Sequence, residues 1–289
     1  MKTIALVLAG GTLLAGCSYE SQEPSSPALE ALPVSQTVSE MPKPIPAPES
    51  FPVDEATARS SWKDGVTLFE NGDYRGAAER LRVAARGRKD DASCRYLLGL
   101  ALWKSGDAAG AEGALVESVT LDPGRLTGWI NLARVRHDLD DRKGALRAAD
   151  KALEIDPTSA DALHQRGRAL MEQKRGPEAL DALKTAHDLD PDDGYIANTY
   201  GLLLILTGKP GDAIAPLEAA RTALPHVAYV RNNLGVAYER TGRTGEAKLE
   251  YQAAVDAGDT GGRAMRSLVR LGATDTTGTT DVALSAKSE

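Results

Sequence analysis

A step of 34 residues, taken from Ala213 in either direction, lands on Ala77, Ala111, Ala145, Ala179 and Ala247, alanine every time. The same step from Gly201 gives Gly65, Gly99, Ala133, Gly167 and Gly235, and from Leu217 it gives Leu81, Leu115, Ala149, Leu183 and Tyr251. From Ala220 it gives Ala84, Ser118, Ala152, Ala186 and Ala254, and from Pro225 it gives Pro191, Pro157 and Pro123. Within one period, Gly194 to Val227, the residues Ala197, Tyr200, Gly201 and Leu204 share one face at helical spacing. Gly208 offers a left-handed stop, a second small-and-apolar face follows at Ala213, Leu217 and Ala220, and Pro225 ends it. Such a helical pair has one apolar face too many and must stack on copies of itself.

Six copies in one register resemble the tetratricopeptide repeat (TPR) family, whose unit is a 34-residue helix–turn–helix. The resemblance spans 58–91, 92–125, 126–159, 160–193, 194–227 and 228–261. It implies an all-α fold: a right-handed superhelical solenoid of about six pairs, with a capping helix over 262–272. The residues give the physical reason. Gly or Ala at the eighth and twentieth positions lets paired helices approach, larger residues at the eleventh and twenty-fourth fill the gap, and proline at the thirty-second keeps its predecessor out of helix. The third copy departs most, with Arg136 where the others have Leu or Tyr and Asp140 where four others have the turn glycine; a looser turn is expected there.

Residues 1–16 carry one lysine and an apolar run of about eleven residues, short of the roughly 20 needed to span a bilayer. The run reads as a secretory signal. Leu14-Ala15-Gly16-Cys17 resembles the lipobox of bacterial lipoproteins, which implies lipidation at Cys17. Ser18 follows, in place of the Asp that tends to retain such proteins in the inner membrane. The implied location is the cell envelope, lipid-anchored to the outer membrane and facing the periplasm. Residues 17–57 hold eight prolines and seven acids against one lysine. Such a composition buries too little apolar surface to offset chain entropy, so it reads as a tether without a partner of its own. Pro-rich chain extends about 3.1 Å per residue, giving a reach on the order of 100 Å.

Charge narrows the partner class. Taking +1 for Lys2, −6 for the tether and −2 for the tail from the total of −7 leaves the repeats neutral. A neutral domain lacks the basic stripe that phosphate backbones select, which argues against nucleic acid. Over 263–271, Ala264, Leu268 and Leu271 share one face and Arg266 and Arg270 another, the polar outer side that a terminal repeat needs. Residues 273–289 read as a disordered tail. With Cys17 lipidated, Cys94 stands alone as an inert thiol.

A catalytic set is not legible, so no enzyme activity and no cofactor are expected. The chain has neither a Gly-x-Ser-x-Gly elbow nor a His-Glu-x-x-His pair. Gly201, Gly208 and Lys209 have the wrong spacing for a phosphate loop. His137 and His164 lack further ligands in register for a metal.

The TPR resemblance implies instead a concave surface built by the first helices, from repeat positions two, five, nine and twelve with some of six and thirteen. Those positions give an aromatic zone (Trp62, Phe69, Tyr96, Leu100, Trp103) and a polar, cationic one (Asn131, Arg134, His137, His164, Gln165, Arg168). A mixed zone follows (Tyr195, Asn198, Leu202, Tyr229, Asn232, Asn233). The aromatics are open to two readings, groove or inter-repeat packing. Asparagine is a poor helix former, and holding the backbone of an extended peptide is one reason for four of them. Arg134 and Arg168 fall side by side in register. They await either internal acids (Asp138, Asp161, Glu172) or a partner's carboxylate. The Lys/Asn/Asn/Lys/Arg clamp of chaperone-binding TPR domains is not found in any three consecutive copies.

The expected function is a membrane-anchored scaffold for protein or peptide partners. The chain resembles TPR lipoproteins that assist pilus and secretion-channel assembly, including pilotin-like and tight-adherence components. An adaptor for peptidoglycan-modifying enzymes is the alternative, and a metal-dependent enzyme the rival of another class.

Overall fold

The structure, a computed structural model, describes residues 52–272. The signal segment, Cys17, most of the tether and the tail from 273 onward lie outside the described residues. The helices are α1 (Glu55–Glu70), α2 (Tyr74–Gly87), α3 (Ala92–Lys104), α4 (Ala108–Leu121), α5 (Leu126–Asp138), α6 (Arg142–Ile155) and α7 (Ala160–Glu172). There follow α8 (Gly176–Leu189), α9 (Gly194–Leu206), α10 (Pro210–Ala223), α11 (Ala228–Arg240), α12 (Thr244–Asp256) and α13 over 263–272. No strand occurs among the described residues. The described chain divides into two compact bodies, one up to Gln173 and one from Lys174.

The helices begin where side chains catch the backbone amides that a helix leaves unsatisfied. Asp54 caps α1 by accepting from the Thr57 amide at 2.9 Å, so α1 takes the last three residues assigned above to the tether. Second helices of the first three copies start with an Asp-x-x-Gly cap: Asp73, Asp107 and Asp141 accept from Gly76, Gly110 and Gly144 amides, each at 2.9 Å. In the last three copies Arg175, Lys209 and Arg243 take that place without a side-chain cap. Proline in the first turn of α8 and α10 presets the backbone there.

The small residues do what the periodicity requires. All six alanines of the Ala213 series are fully buried. A Cβ built on Gly65, Gly99 or Gly201 would lie 2.7, 2.7 or 2.5 Å from the Cγ of Leu81, Leu115 or Leu217, sixteen residues on in the same copy. At Gly235 the neighbour is the Tyr251 ring, 2.7 Å away. In the leading body these contacts merge into a core that takes in Leu81, Leu98, Leu102, Leu115 and Leu132, flanked by Trp62, Phe69, Tyr96 and Trp103. In the second body Leu204, Leu217, Leu234, Tyr238 and Tyr251 form the equivalent core, closed by Ala264 and Leu271 of α13.

Two expectations are corrected. The turn of the third copy is not looser: Asp140 adopts φ +58°, and the Asp140 and Asp141 amides donate to His137 and Arg136 carbonyls at 3.0 and 2.9 Å. Gly106 and Asp107 do the same in the second copy, at the same distances. Arg136 fits the apolar slot because its guanidinium leaves the core to meet Glu112 at 2.9 Å and the Gly144 carbonyl at 3.2 Å. The outer side of α13 is also less polar than its arginines suggest, since Met265 and Val269 are exposed while Arg270 pairs with Glu239.

Lys174 adopts φ +61° in the turn of the fourth copy. For a residue with a Cβ that left-handed conformation costs on the order of 1–2 kcal/mol, partly offset by the entropy glycine loses on folding. Lys174→Gly should therefore raise stability by about 1 kcal/mol, seen as a higher urea midpoint. A lowered midpoint would show that the turn stores no strain.

Candidate functional site

First helices of the leading body stand side by side, α1 against α3, α3 against α5 and α5 against α7. Their common face carries the middle zone, and the geometry there is closed. Asn131 is 7 %, His137 8 %, His164 4 %, Gln165 1 % and Arg168 6 % exposed, so each needs polar partners to offset desolvation. Asn131 donates to the Tyr96 hydroxyl at 2.8 Å and accepts from Arg134 at 3.2 Å. Arg134 reaches on to Asp161 at 2.5 Å. The Trp103 indole N–H donates to Asp138 at 2.6 Å. Imidazole Nδ1 of His137 faces the Glu172 carboxylate at 3.0 Å, and its Nε2 faces the Gln165 carbonyl at 3.4 Å. Arg168 donates to the Gln165 side chain at 3.2 Å.

The acids named from the sequence are thus brought together with the cluster, and Asp161 meets Arg134. Glu172 goes to His137 and Asp138 to Trp103. The asparagines hold neighbouring repeats together: Asn131 joins α5 to α3, and in the second body Asn233 donates to Asn198 at 2.9 Å, joining α11 to α9. Asn198 and Asn233 are 1 % and 5 % exposed, and Asn232 6 %; Tyr195 and Tyr229 are half-buried. Trp62, Phe69, Tyr96 and Trp103 pack against the core while remaining half-buried. The rings thus take part in inter-repeat packing and keep part of their surface exposed.

Burial, then the nearby Arg168, Arg134 and His137, hold the His164 pKa well below the usual histidine range. Cys94 is fully buried and its thiol is pushed up to about 11, chiefly by burial. Among the described residues no group of three or more His, Cys, Asp and Glu is placed to hold a metal. No described helix is long and apolar enough to cross a membrane.

Sequence reasoning missed the ladder itself. Tyr96–Asn131, Trp103–Asp138, His137–Glu172 and Asn198–Asn233 are all separated by 35 residues. Each joins position five to the next copy's six, or twelve to its thirteen. A search in steps of 34 passes over such pairs. Also missed was Glu250, buried between Arg221 at 2.8 Å and Arg231 at 3.1 Å.

Stacked helix pairs whose first helices share one polar and aromatic face define a helical-repeat scaffold for protein–protein contacts. Residues 65–125 and 201–261 match one tetratricopeptide repeat model and 136–203 another, together more than half of the chain, so the chain belongs to the tetratricopeptide repeat family. A TPR repeat-containing protein of Pseudomonas aeruginosa, PA4299, is 32% identical over 105 residues, 36% of this chain and 42% of the relative. The match thus spans about two fifths of that relative's length. Among solved structures, Pseudomonas aeruginosa pilF aligns with a TM-score of 0.58, at 24% identity over 68% of this chain and 90% of that one. TTC0263, a TPR protein of Thermus thermophilus, gives 0.54 with 21% identity over 62% and 100%. MamA of Desulfovibrio magneticus RS-1 gives 0.53 with 20% identity over 58% and 94%. At these identities the three structures share the fold.

Proposed function

We propose that this chain is a lipid-anchored scaffold of the bacterial envelope that receives a protein segment on its first-helix face and serves the assembly of a pilus or secretion channel. The observation that carries the binding part is the buried, cross-linked network of Asn131, Arg134, His137, Gln165 and Glu172. A face fixed by hydrogen bonds before the partner arrives loses little freedom on binding. Half-exposed aromatics beside it supply apolar area. Arg134, whose side chain is 28% exposed, is the cation of that network positioned to exchange Asp161 for a partner's carboxylate, where a bidentate fork is the natural geometry.

The anchor rests on the Leu-Ala-Gly-Cys lipobox resemblance, and the assembly role on that resemblance together with six repeats. The fold shared with pilF is consistent with this role.

Two substitutions test the reading. Cys17→Ala should leave an unprocessed precursor and release the domain from membranes, because an anchor of two acyl chains holds where one is marginal; normal cleavage and retention would refute the anchor. Arg134→Ala should cut recovery of crosslinked partners severalfold while stability changes by about 1 kcal/mol at most, since Asp161 is half exposed. Undiminished recovery would place the binding surface elsewhere.

A further inference from the structure

The repeat register runs past the sixth copy. Residue 262 is the first position of a seventh, and α13 keeps that register. Ala264 and Leu271, at positions three and ten, are buried, like Cys94 and Val230 at three and Ala101 and Ala237 at ten in earlier copies. Position eight behaves differently. In all six copies it holds Gly or Ala, buried where that copy's second helix lies against it. In the seventh it holds Val269, which is 66 % exposed. Met265 at position four is 47 % exposed, and Leu268 at position seven is half-buried. Among the described residues no second helix lies against α13. The sequence that follows does not repeat the pattern of one either. Positions twenty, twenty-four and twenty-seven of a seventh copy fall on Asp281, Ser285 and Ser288. The six copies have alanine, then Leu, Ala or Tyr, then Ala or Ser at these places.

We propose that the stripe of Met265, Leu268 and Val269 receives an acidic amphipathic helix of a partner protein, which takes the seat of a seventh second helix. The stripe shares no residue with the central network, and its use does not depend on partner capture there.

Continuity, shape and charge choose the occupant. The same interface already exists in this chain, as in α9 against α10 and α11 against α12, so a helix is the element that fits the stripe. Shape sets one of its residues. Elsewhere a leucine of the second helix fills the space over a position-eight glycine, Leu217 over Gly201 for example. Val269 fills part of that space from α13, so a leucine opposite it would overpack. The incoming helix therefore needs a small residue there, as the third copy has Ala149 at position twenty-four. Charge sets its edge. α13 carries Arg263, Arg266 and Arg270 and no acid. Arg270 is paired with Glu239, whereas Arg266, which flanks Val269 on the helix, is exposed and makes no ion pair among the described residues. An acidic side chain on the edge of the incoming helix complements it. The same arginines oppose the pairing of two copies through α13, which sets like charge against like.

The test uses the full-length chain in lipid nanodiscs, carbon-13 labelled at its methionine methyl groups and followed by NMR. The probe is a synthetic peptide of residues 107–122 carrying Leu115→Ala, which keeps the Asp107 cap and has four acids and no base. The Met265 signal should shift saturably with peptide, while that of fully buried Met171 stays in place. Val269→Asp should weaken binding about tenfold by setting a charge in the apolar contact, and its urea midpoint should match that of the wild type because the position is exposed. The same peptide with Leu115 restored should bind about threefold more weakly. So should the peptide of residues 141–156, which carries Ala149 but balances four acids with four bases. A Met265 signal unmoved at millimolar peptide, acidic and neutral peptides bound equally, or binding indifferent to Val269→Asp would overturn the proposal. A Met265 shift that follows the concentration of the chain alone would overturn it too, in favour of paired copies. The two surfaces fail separately: Arg134→Ala leaves the stripe intact, and Val269→Asp leaves the central network intact.

Discussion

Gly99→Ala should destabilise the wild-type protein and stabilise the Leu115→Ala variant. In the native chain the new methyl would sit 2.7 Å from Leu115 Cγ and 2.9 Å from its Cδ2, with the Ala111 carbonyl at 3.4 Å closing the other side. Leu115 is fully buried, as are Ala111, Ala101 and Ala133 in the same core, so the leucine has little room to withdraw. Overpacking of this kind costs roughly 1–3 kcal/mol. It outweighs the helix-propensity gain of about 1 kcal/mol from replacing a mid-helix glycine. Leu115→Ala alone should cost about 2–5 kcal/mol through lost burial and cavity formation. Once the leucine is gone the methyl enters vacated space, so only the propensity gain and some refilling remain. The third copy already carries this combination, with Ala133 and Ala149 both fully buried. A double-mutant cycle read by urea unfolding should give a coupling of about 1.5–3 kcal/mol. In a repeat array the loss should fall first on the leading body. Additive effects would mean that the close approach seen at the eighth position does not govern packing.

That pairing was legible because it recurs at a fixed step. Gly99 and Leu115 belong to the same copy, and each copy states the pair again, so the 34-residue period exposes both partners. The ladder between copies is as regular, but its partners sit at different repeat positions. Tyr96 is at position five and Asn131 at position six of the next copy, which makes the spacing 35, so a step of 34 does not pair them. Asn198–Asn233 repeats the position-five-to-six hydrogen bond of Tyr96–Asn131. Asn131 and Asn198 read as groove residues because asparagine is unfavourable in a helix. In the structure both bond to the neighbouring repeat, Asn131 to Tyr96 and Asn198 to Asn233. Arg136 was visible as an exception but not its remedy, since Glu112 lies on a second helix of the preceding copy, outside any short-range pattern. The Asp-x-x-Gly caps were in the sequence as well. Gly76, Gly110 and Gly144 are small because the carboxylate of the capping aspartate folds back over them, within 2.5 Å of where a Cβ would stand.

The stability of the leading body should fall as the solution is acidified from pH 7.5 to 5.0, and His164→Asn should remove most of that fall. His164 is 4 % exposed, and its folded-state pKa is depressed by burial first, then by Arg168, Arg134 and His137. In the unfolded chain it titrates near 6.5. A group whose folded pKa lies below its unfolded value contributes stability that is complete above the unfolded pKa. That contribution is lost as pH falls toward the folded value, because only the unfolded chain takes up the proton. Stability should therefore decline as the pH falls below the unfolded-state value, with a slope bounded by about 1.4 kcal/mol per pH unit for one proton. Burial sets the sign and the neighbours reinforce it. A protonated His164 would stand among Arg134 and Arg168 while Asp161 is engaged with Arg134 and Glu172 with His137. Carboxylates held low by hydrogen bonds, such as Asp54 with Thr57 and Asp156 with Thr158, titrate below this window. Asparagine is the natural replacement, since Asn198 and Asn232 hold the same repeat position in the next two copies. The measurement is the urea midpoint of both proteins across the range. Parallel curves for wild type and His164→Asn would show that His164 takes up its proton as readily in the folded protein as in the unfolded chain.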